Sequence, residues 1–211
     1  MRATAVLPVK RFGAAKSRLE SLSGRRRRSL AAAMLEDALE AIGAARSIER
    51  TIVVSGERGA ARPARAAGAE LIDDPDEGHV EAALRGVLRA AELGARCVVL
   101  LPGDCPLLDP RELDGLVSAA VERCAIVVPD RHGTGTNALL LAPPDAIRPA
   151  FGAGSRARHC DLAREAGVPC SIERVDSLAL DLDTPADLIA LTRELEQRPG
   201  RARRTAKALG I

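Results

Sequence analysis

Ala3-Thr4-Ala5-Val6-Leu7-Pro8-Val9-Lys10, running on through Arg11 to Lys16-Ser17-Arg18-Leu19, is the stretch on which the fold turns. The apolar run over residues 3–9, broken only by Thr4, reads as a buried strand. It ends near a proline and empties into a loop carrying Lys10, Arg11, Lys16 and Arg18, so that four cations leave one strand end. A first strand that opens onto a cationic loop and then a helix is how α/β proteins hold a polyphosphate beyond the carboxyl edge of the sheet. Neither G-x-G-x-x-G nor G-x-x-x-x-G-K-[ST] lies near it, so side-chain charge takes the place of the usual glycines. The stretch predicts a nucleotide site of neither glycine-rich kind.

Working outward, the chain alternates short apolar segments with helical patterns and shows no repeat. Strands are expected over 3–9, 51–55, 69–72, 97–101, 124–128, 137–141 and within 171–182, and helices over 27–44, 57–67, 79–94, 111–122, 156–166 and 185–197. Such alternation argues one α/β domain with a mainly parallel sheet covered on both faces, in which ligands bind beyond the strand carboxyl ends. Ser23 is the expected N-cap of the first helix, with Leu30, Met34, Leu35, Ala38 and Ile42 as its apolar stripe. Residues 25–28, all arginine, read as its solvated first turn.

The chain has 211 residues, 46% hydrophobic and 28% charged, which suits a single domain with a real core, assigned here to residues 1–197. With two Phe and neither Trp nor Tyr, it lacks the stacking platforms of single-stranded nucleic-acid binders, which counts against a nucleic-acid partner. Five cysteines without a C-x-x-C pair read as reduced thiols of a cytoplasmic protein, and no apolar run is long enough to span a membrane. The net charge of +2 hides an asymmetry. Residues 1–28 hold nine Lys or Arg against one Glu, and residues 198–211 hold five basic residues and no acid, which leaves an acidic middle. Residues 198–211 are expected to be a basic, flexible tail.

Three clusters qualify as functional. Pro102-Gly103-Asp104-Cys105-Pro106 follows the strand over 97–101 and puts the Asp104 carboxylate at its tip, where an ordinary turn aspartate is an equal reading. Asp181-Leu182-Asp183-Thr184-Pro185-Ala186-Asp187 is read as the end of the last strand, with Asp181 and Asp183 on one side of it. Asp183 or Thr184 would cap the next helix, with Pro185 at its first position. Two carboxylate loops facing one cleft suit Mg²⁺, a hard ion that shares oxygen ligands with substrate phosphates. The third cluster is neutral: Gly133-Thr134-Gly135-Thr136-Asn137 before one strand, and Phe151-Gly152-Ala153-Gly154-Ser155 before a helix that also carries Arg156 and Arg158, a natural anion site.

Taken in order, these motifs resemble a known family over residues 3–195. Leu7-Pro8-Val9-Lys10 with Ala15-Lys16-Ser17-Arg18-Leu19, Gly103-Asp104-Cys105-Pro106-Leu107, Gly135-Thr136-Asn137-Ala138-Leu139, Phe151-Gly152 to Ser155 with His159, and Asp181-Leu182-Asp183-Thr184-Pro185-Ala186-Asp187-Leu188 are similar to the guanylyltransferases of coenzyme F420 biosynthesis, called CofC in archaea and FbiD in actinobacteria. The family is related to the molybdenum-cofactor guanylyltransferases. The resemblance implies a Rossmann-like nucleotidyltransferase fold and a reaction in which GTP gives GMP to the phosphate of a three-carbon acid and diphosphate leaves. Phosphoenolpyruvate is the favoured acceptor, with 2-phospho-L-lactate and 3-phospho-D-glycerate as the others. It also implies roles: Lys10, Lys16, Arg18 and Pro102 at the nucleotide, Thr136, Gly152 and Ser155 at the acceptor, Asp104 with Asp181 or Asp183 at Mg²⁺, and Lys16 with Asp104 as the catalytic pair. A reactive product would best be handed to the next transferase of the pathway.

The same fold with another acceptor or nucleotide, and a silent nucleotide-binding protein, are the alternatives. The chain departs from the family pattern at Gly78-His79-Val80, where relatives usually show Gly-Leu-Asn. His79 there either supplies a hydrogen bond or merely opens a helix, the second being slightly preferred. His132 and His159 are left outside catalysis, although His159 stands close enough to Ser155 to touch the acceptor.

Overall fold

The computed structural model describes residues 1–12, Leu19 and residues 22–211; Lys16 and Arg18 lie outside the described residues. Seven strands form one sheet: β1 (Ala3–Pro8), β2 (Ile48–Val54), β3 (Glu70–Ile72), β4 (Val98–Leu100), β5 (Cys124–Pro129), β6 (Thr136–Ala142) and β7 (Cys170–Ile172). Their order is β3-β2-β1-β4-β6-β5-β7. Neighbours pair in parallel except β4 with β6 and β5 with β6, so β6 alone runs against the rest. That reversal decides the site, because it brings the first residues of β6, Thr136 and Asn137, to the edge where β1, β4 and β5 end.

The helices are α1 (Gly24–Ala44), α2 (Ala61–Ala66), α3 (His79–Glu92), α4 (Pro110–Ser118), α5 (Ser155–Glu165), α6 (Pro185–Gln197) and α7 (Arg203–Leu209). Alternating residues of β1 feed two cores. Ala3, Ala5 and Leu7 join α1 on one face, and Val6 joins the α3 stripe Ala82, Ala83, Val87 and Ala90 on the other. α3 lies so close to the sheet that a Cβ on Gly86 would sit 2.2 Å from Val6 Cγ1. Ser23 caps α1 by accepting from the Arg26 amide, and the expected stripe, Leu30, Met34, Leu35, Ala38 and Ile42, is buried. The mainly parallel sheet flanked on both faces is the architecture the alternation predicted.

Two expectations are corrected. Asp181 and Asp183 do not end a strand: β7 stops at Ile172, and a 3-10 turn (Asp176–Leu178) and a loop follow before α6. The loop is held across the sheet edge by hydrogen bonds, from Ser177 N to Glu112 Oε2 (2.9 Å) and from Arg131 N to Ala179 O (3.1 Å). Residues 198–211 do not form a free tail, since α7 docks on α1. There the buried Asp37 accepts from Thr205 N (2.8 Å) and Thr205 Oγ1 (2.7 Å), and Arg204 pairs with Glu36, Asp37 and Glu40. The tail's basic charge had hidden the α1 carboxylates that it matches.

Candidate active site

A cleft of about 370 Å³ opens at the carboxyl edge of the sheet. Its walls come from strand ends, from loops and from helices. β1 delivers Pro8, Val9 and the exposed Lys10; β4 delivers Pro102, Gly103 and Asp104; β6 begins with Thr136 and Asn137; and the loop before α6 delivers Asp181 and Asp183. His79, the first residue of α3, and Phe151 also line it, over an apolar floor that includes Ala31, Met34 and Leu100. The three carboxylates named from the sequence thus share one cavity with Lys10, Pro102 and Thr136.

Asp181 is the most constrained of the acids. Burial raises its pKa above the ordinary carboxylate value and the charge of Asp104 adds to the rise; a hydrogen bond from Asn137 opposes it, and Asp183 again favours the proton. Three acids that repel one another in one cleft form an oxygen-only donor set that suits a hard cation. Among the described residues, no group of three His, Cys, Asp or Glu side chains is already gathered as a metal cage.

Asp187, four residues beyond Asp183, belongs to the scaffold. Burial disfavours its charge, but hydrogen bonds from the Thr184 side chain and backbone and from the Asp183 amide, with Arg131 at 2.6 Å, outweigh that and hold its carboxyl below the usual range. Thr184 caps α6 in a reciprocal box with Asp187, and Pro185 takes the first helical position, as the spacing predicted.

Only Thr136 of the three expected acceptor residues lines the cleft. Ser155 is buried behind it, its hydroxyl donating to Thr136 Oγ1 at 3.1 Å. Gly152 sits in the exposed turn beside Phe151 at φ +115°, a conformation that excludes most side chains. Arg158 is not free for an anion, since its guanidinium donates to the carbonyls of Ala150, Phe151 and Ala153 and braces that turn.

Three further residues belong to the site. Asn137 is buried and donates to Leu178 O (2.7 Å) and Asp181 Oδ1 (3.3 Å). Phe151 stands edge-on between His79 and His159, each 5.2 Å away between ring centroids. His79 Nδ1 is buried without a hydrogen-bond partner, and burial, then Lys10, lowers the pKa of the ring against the opposing charges of Asp104 and Asp74. Gly78 is the N-cap of α3, without a side-chain cap bond, and His79 both opens the helix and lines the cleft. A lone Asn at the head of an otherwise apolar strand was the signal for Asn137 in the sequence.

The family model described as "Guanylyl transferase CofC like" matches residues 3–201. A phosphoenolpyruvate guanylyltransferase from Conexibacter woesei is 46% identical over 209 residues, covering 97% of this chain and 94% of its own. One of the same name from Sphaerobacter thermophilus is 43% identical, with 89% and 91% covered. Among solved structures, a Desulfovibrio desulfuricans G20 protein described as a nucleotide-diphospho-sugar transferase superposes with a TM-score of 0.75 over 99% of this chain and 94% of that one, at 18% identity, which speaks to the fold.

Proposed function

The chain belongs to the CofC-like guanylyltransferase family, and from that premise we propose that it transfers GMP from GTP to the phosphate of phosphoenolpyruvate, releasing diphosphate, as a step of coenzyme F420 assembly. The observation that carries the reading is the lining of one cleft: the cation Lys10, the hydroxyl residue Thr136 and the carboxylates Asp104, Asp181 and Asp183 all border the same cavity. Both of these relatives carry phosphoenolpyruvate in their names, which supports that acceptor.

The attacking group is a phosphate oxygen, ionised at neutral pH, so the reaction needs no strong general base. It needs in-line placement and relief of repulsion between two polyanions. Lys10 is a point charge at the end of β1, suited to the phosphates of GTP, and Lys16 and Arg18 follow it in the same role. Thr136, with the Ser155 hydroxyl donating to it from behind, receives the acid. Asp104, Asp181 and Asp183 would hold Mg²⁺, which when bound neutralises charge on the phosphates. Burial, then the charge of Asp104, disfavours ionised Asp181, so cation binding there would be coupled to its deprotonation.

The test is release of diphosphate from GTP and Mg²⁺ with phosphoenolpyruvate, 2-phospho-L-lactate or 3-phospho-D-glycerate supplied in turn. Release that requires an acceptor, fastest with phosphoenolpyruvate, is expected; a faster reaction with another acid would reassign the substrate.

A further inference from the structure

His159 is fully buried and does not line the cleft, yet its ring is bonded to a residue that does. The two ring nitrogens are committed in a definite order. The Ala150 amide donates to Nε2 at 2.8 Å, so Nε2 is the unprotonated nitrogen. Neutral imidazole then carries its proton on Nδ1, which lies 3.1 Å from Thr136 Oγ1 and donates to it. The Ser155 hydroxyl donates to the same oxygen. A hydroxyl oxygen offers two lone pairs and one proton. Both lone pairs of Thr136 are filled from behind, and only its proton remains for the cleft.

We infer that His159 is a positioning residue that, through its Nδ1–H and together with Ser155, locks the Thr136 hydroxyl as a one-way donor toward an oxyanion of the acceptor. A donor without acceptor capacity suits a phosphate or carboxylate oxygen and rejects a ligand hydroxyl or amine that must itself donate. The surroundings keep the arrangement fixed. Phe151 packs edge-on against the ring at 77°, and Arg158 donates to Ala150 O at 3.0 Å, holding the peptide segment whose N–H faces Nε2. Burial, helped by Arg158, pushes the His159 pKa down to about 4, so Nε2 stays free to accept at neutral pH.

The identity of the oxyanion rests on the reaction proposed above; the direction of the hydrogen bonds does not. Steady-state kinetics with GTP and phosphoenolpyruvate on the wild type, His159→Leu, His159→Asn, Thr136→Val and the Leu/Val double variant test the acceptor side. His159→Leu should raise KM for the acceptor about 10-fold, the scale of one hydrogen bond to a charged group, with KM for GTP little changed. Asn, whose amide N–H can stand where Nδ1–H stood, should recover much of this. In the Thr136→Val background, His159→Leu should add little, because the group through which it acts is gone.

Additive penalties, equal rises in both KM values, or an unchanged acceptor KM in a cooperatively melting His159→Leu protein would overturn the inference. If His159→Leu fails to fold, the ¹⁵N spectrum of the wild-type imidazole decides: an Nδ1–H tautomer at neutral pH is expected, and an Nε2–H tautomer contradicts it. A wild type that turns over no phosphoacid defeats the proposed reaction, and the tautomer still decides the positioning.

Discussion

Asn137 Nδ2 donates to Asp181 Oδ1 at 3.3 Å, tying the head of β6 to the loop that carries two of the cleft's carboxylates. The same nitrogen donates to Leu178 O at 2.7 Å, so one buried amide both anchors the loop and favours the ionised form of Asp181. Asn137→Ala should therefore raise the Asp181 pKa further and shift the acid limb of kcat/KM to higher pH, with about 1 kcal/mol of stability lost because the Leu178 carbonyl is left with only the weak Cys105 thiol donor. Asp104→Asn should move that limb the other way by removing a like charge, while lowering kcat. pH–rate profiles of the two variants check the signs; limbs that move together would contradict the coupling.

His159 makes stability depend on pH in a definite sense. Its folded pKa, about 4, lies below the unfolded value near 6.5, so the folded state binds the proton less readily. The contribution is intact above about 6.5 and is lost as pH falls toward 4. Urea denaturation of the wild type and His159→Gln across that window should converge as the pH drops. Parallel curves would mean that the ring titrates normally.

The docking of α7 on α1 is structural. Asp37→Ala leaves the buried amide and hydroxyl of Thr205 without their acceptor, and about 1–3 kcal/mol of stability should be lost while KM for GTP is unchanged. Thermal melts together with kinetics separate the two outcomes, and a variant with a wild-type melting temperature would show that α7 is not held this way.

Gly86 is needed for close approach. Ala at this position would drive its methyl into Val6, at the centre of the sheet, and should cost about 1–3 kcal/mol by overpacking despite the better helix propensity of Ala. A chemical-denaturation midpoint at or above that of the wild type would show that α3 can shift to make room.

Much of this was legible because periodicity and punctuation are local. The strand over residues 3–9, the Ser23 cap, the Thr184-Pro185 helix start and the Asp104 turn each announce themselves within a few residues. What could not be read is what depends on direction and return. Nothing in Thr136-Asn137-Ala138 says that β6 runs against its neighbours, yet that reversal puts Thr136 in the cleft. The loop that carries Asp181 and Asp183 reads in sequence as a strand end because its anchors, Glu112 and Asn137, are distant in the chain. The buried Nδ1 of His79 and the His159 to Thr136 bond are likewise tertiary facts. The fate of Lys16 and Arg18 lies outside the described residues.

Wild-type protein incubated with GTP, Mg²⁺ and phosphoenolpyruvate should yield, by ³¹P NMR and mass spectrometry, equimolar diphosphate and a product in which GMP is joined to the acid through a new P–O–P linkage. GTP left intact, or cleaved to free GMP or GDP with the acid unmodified, would contradict it.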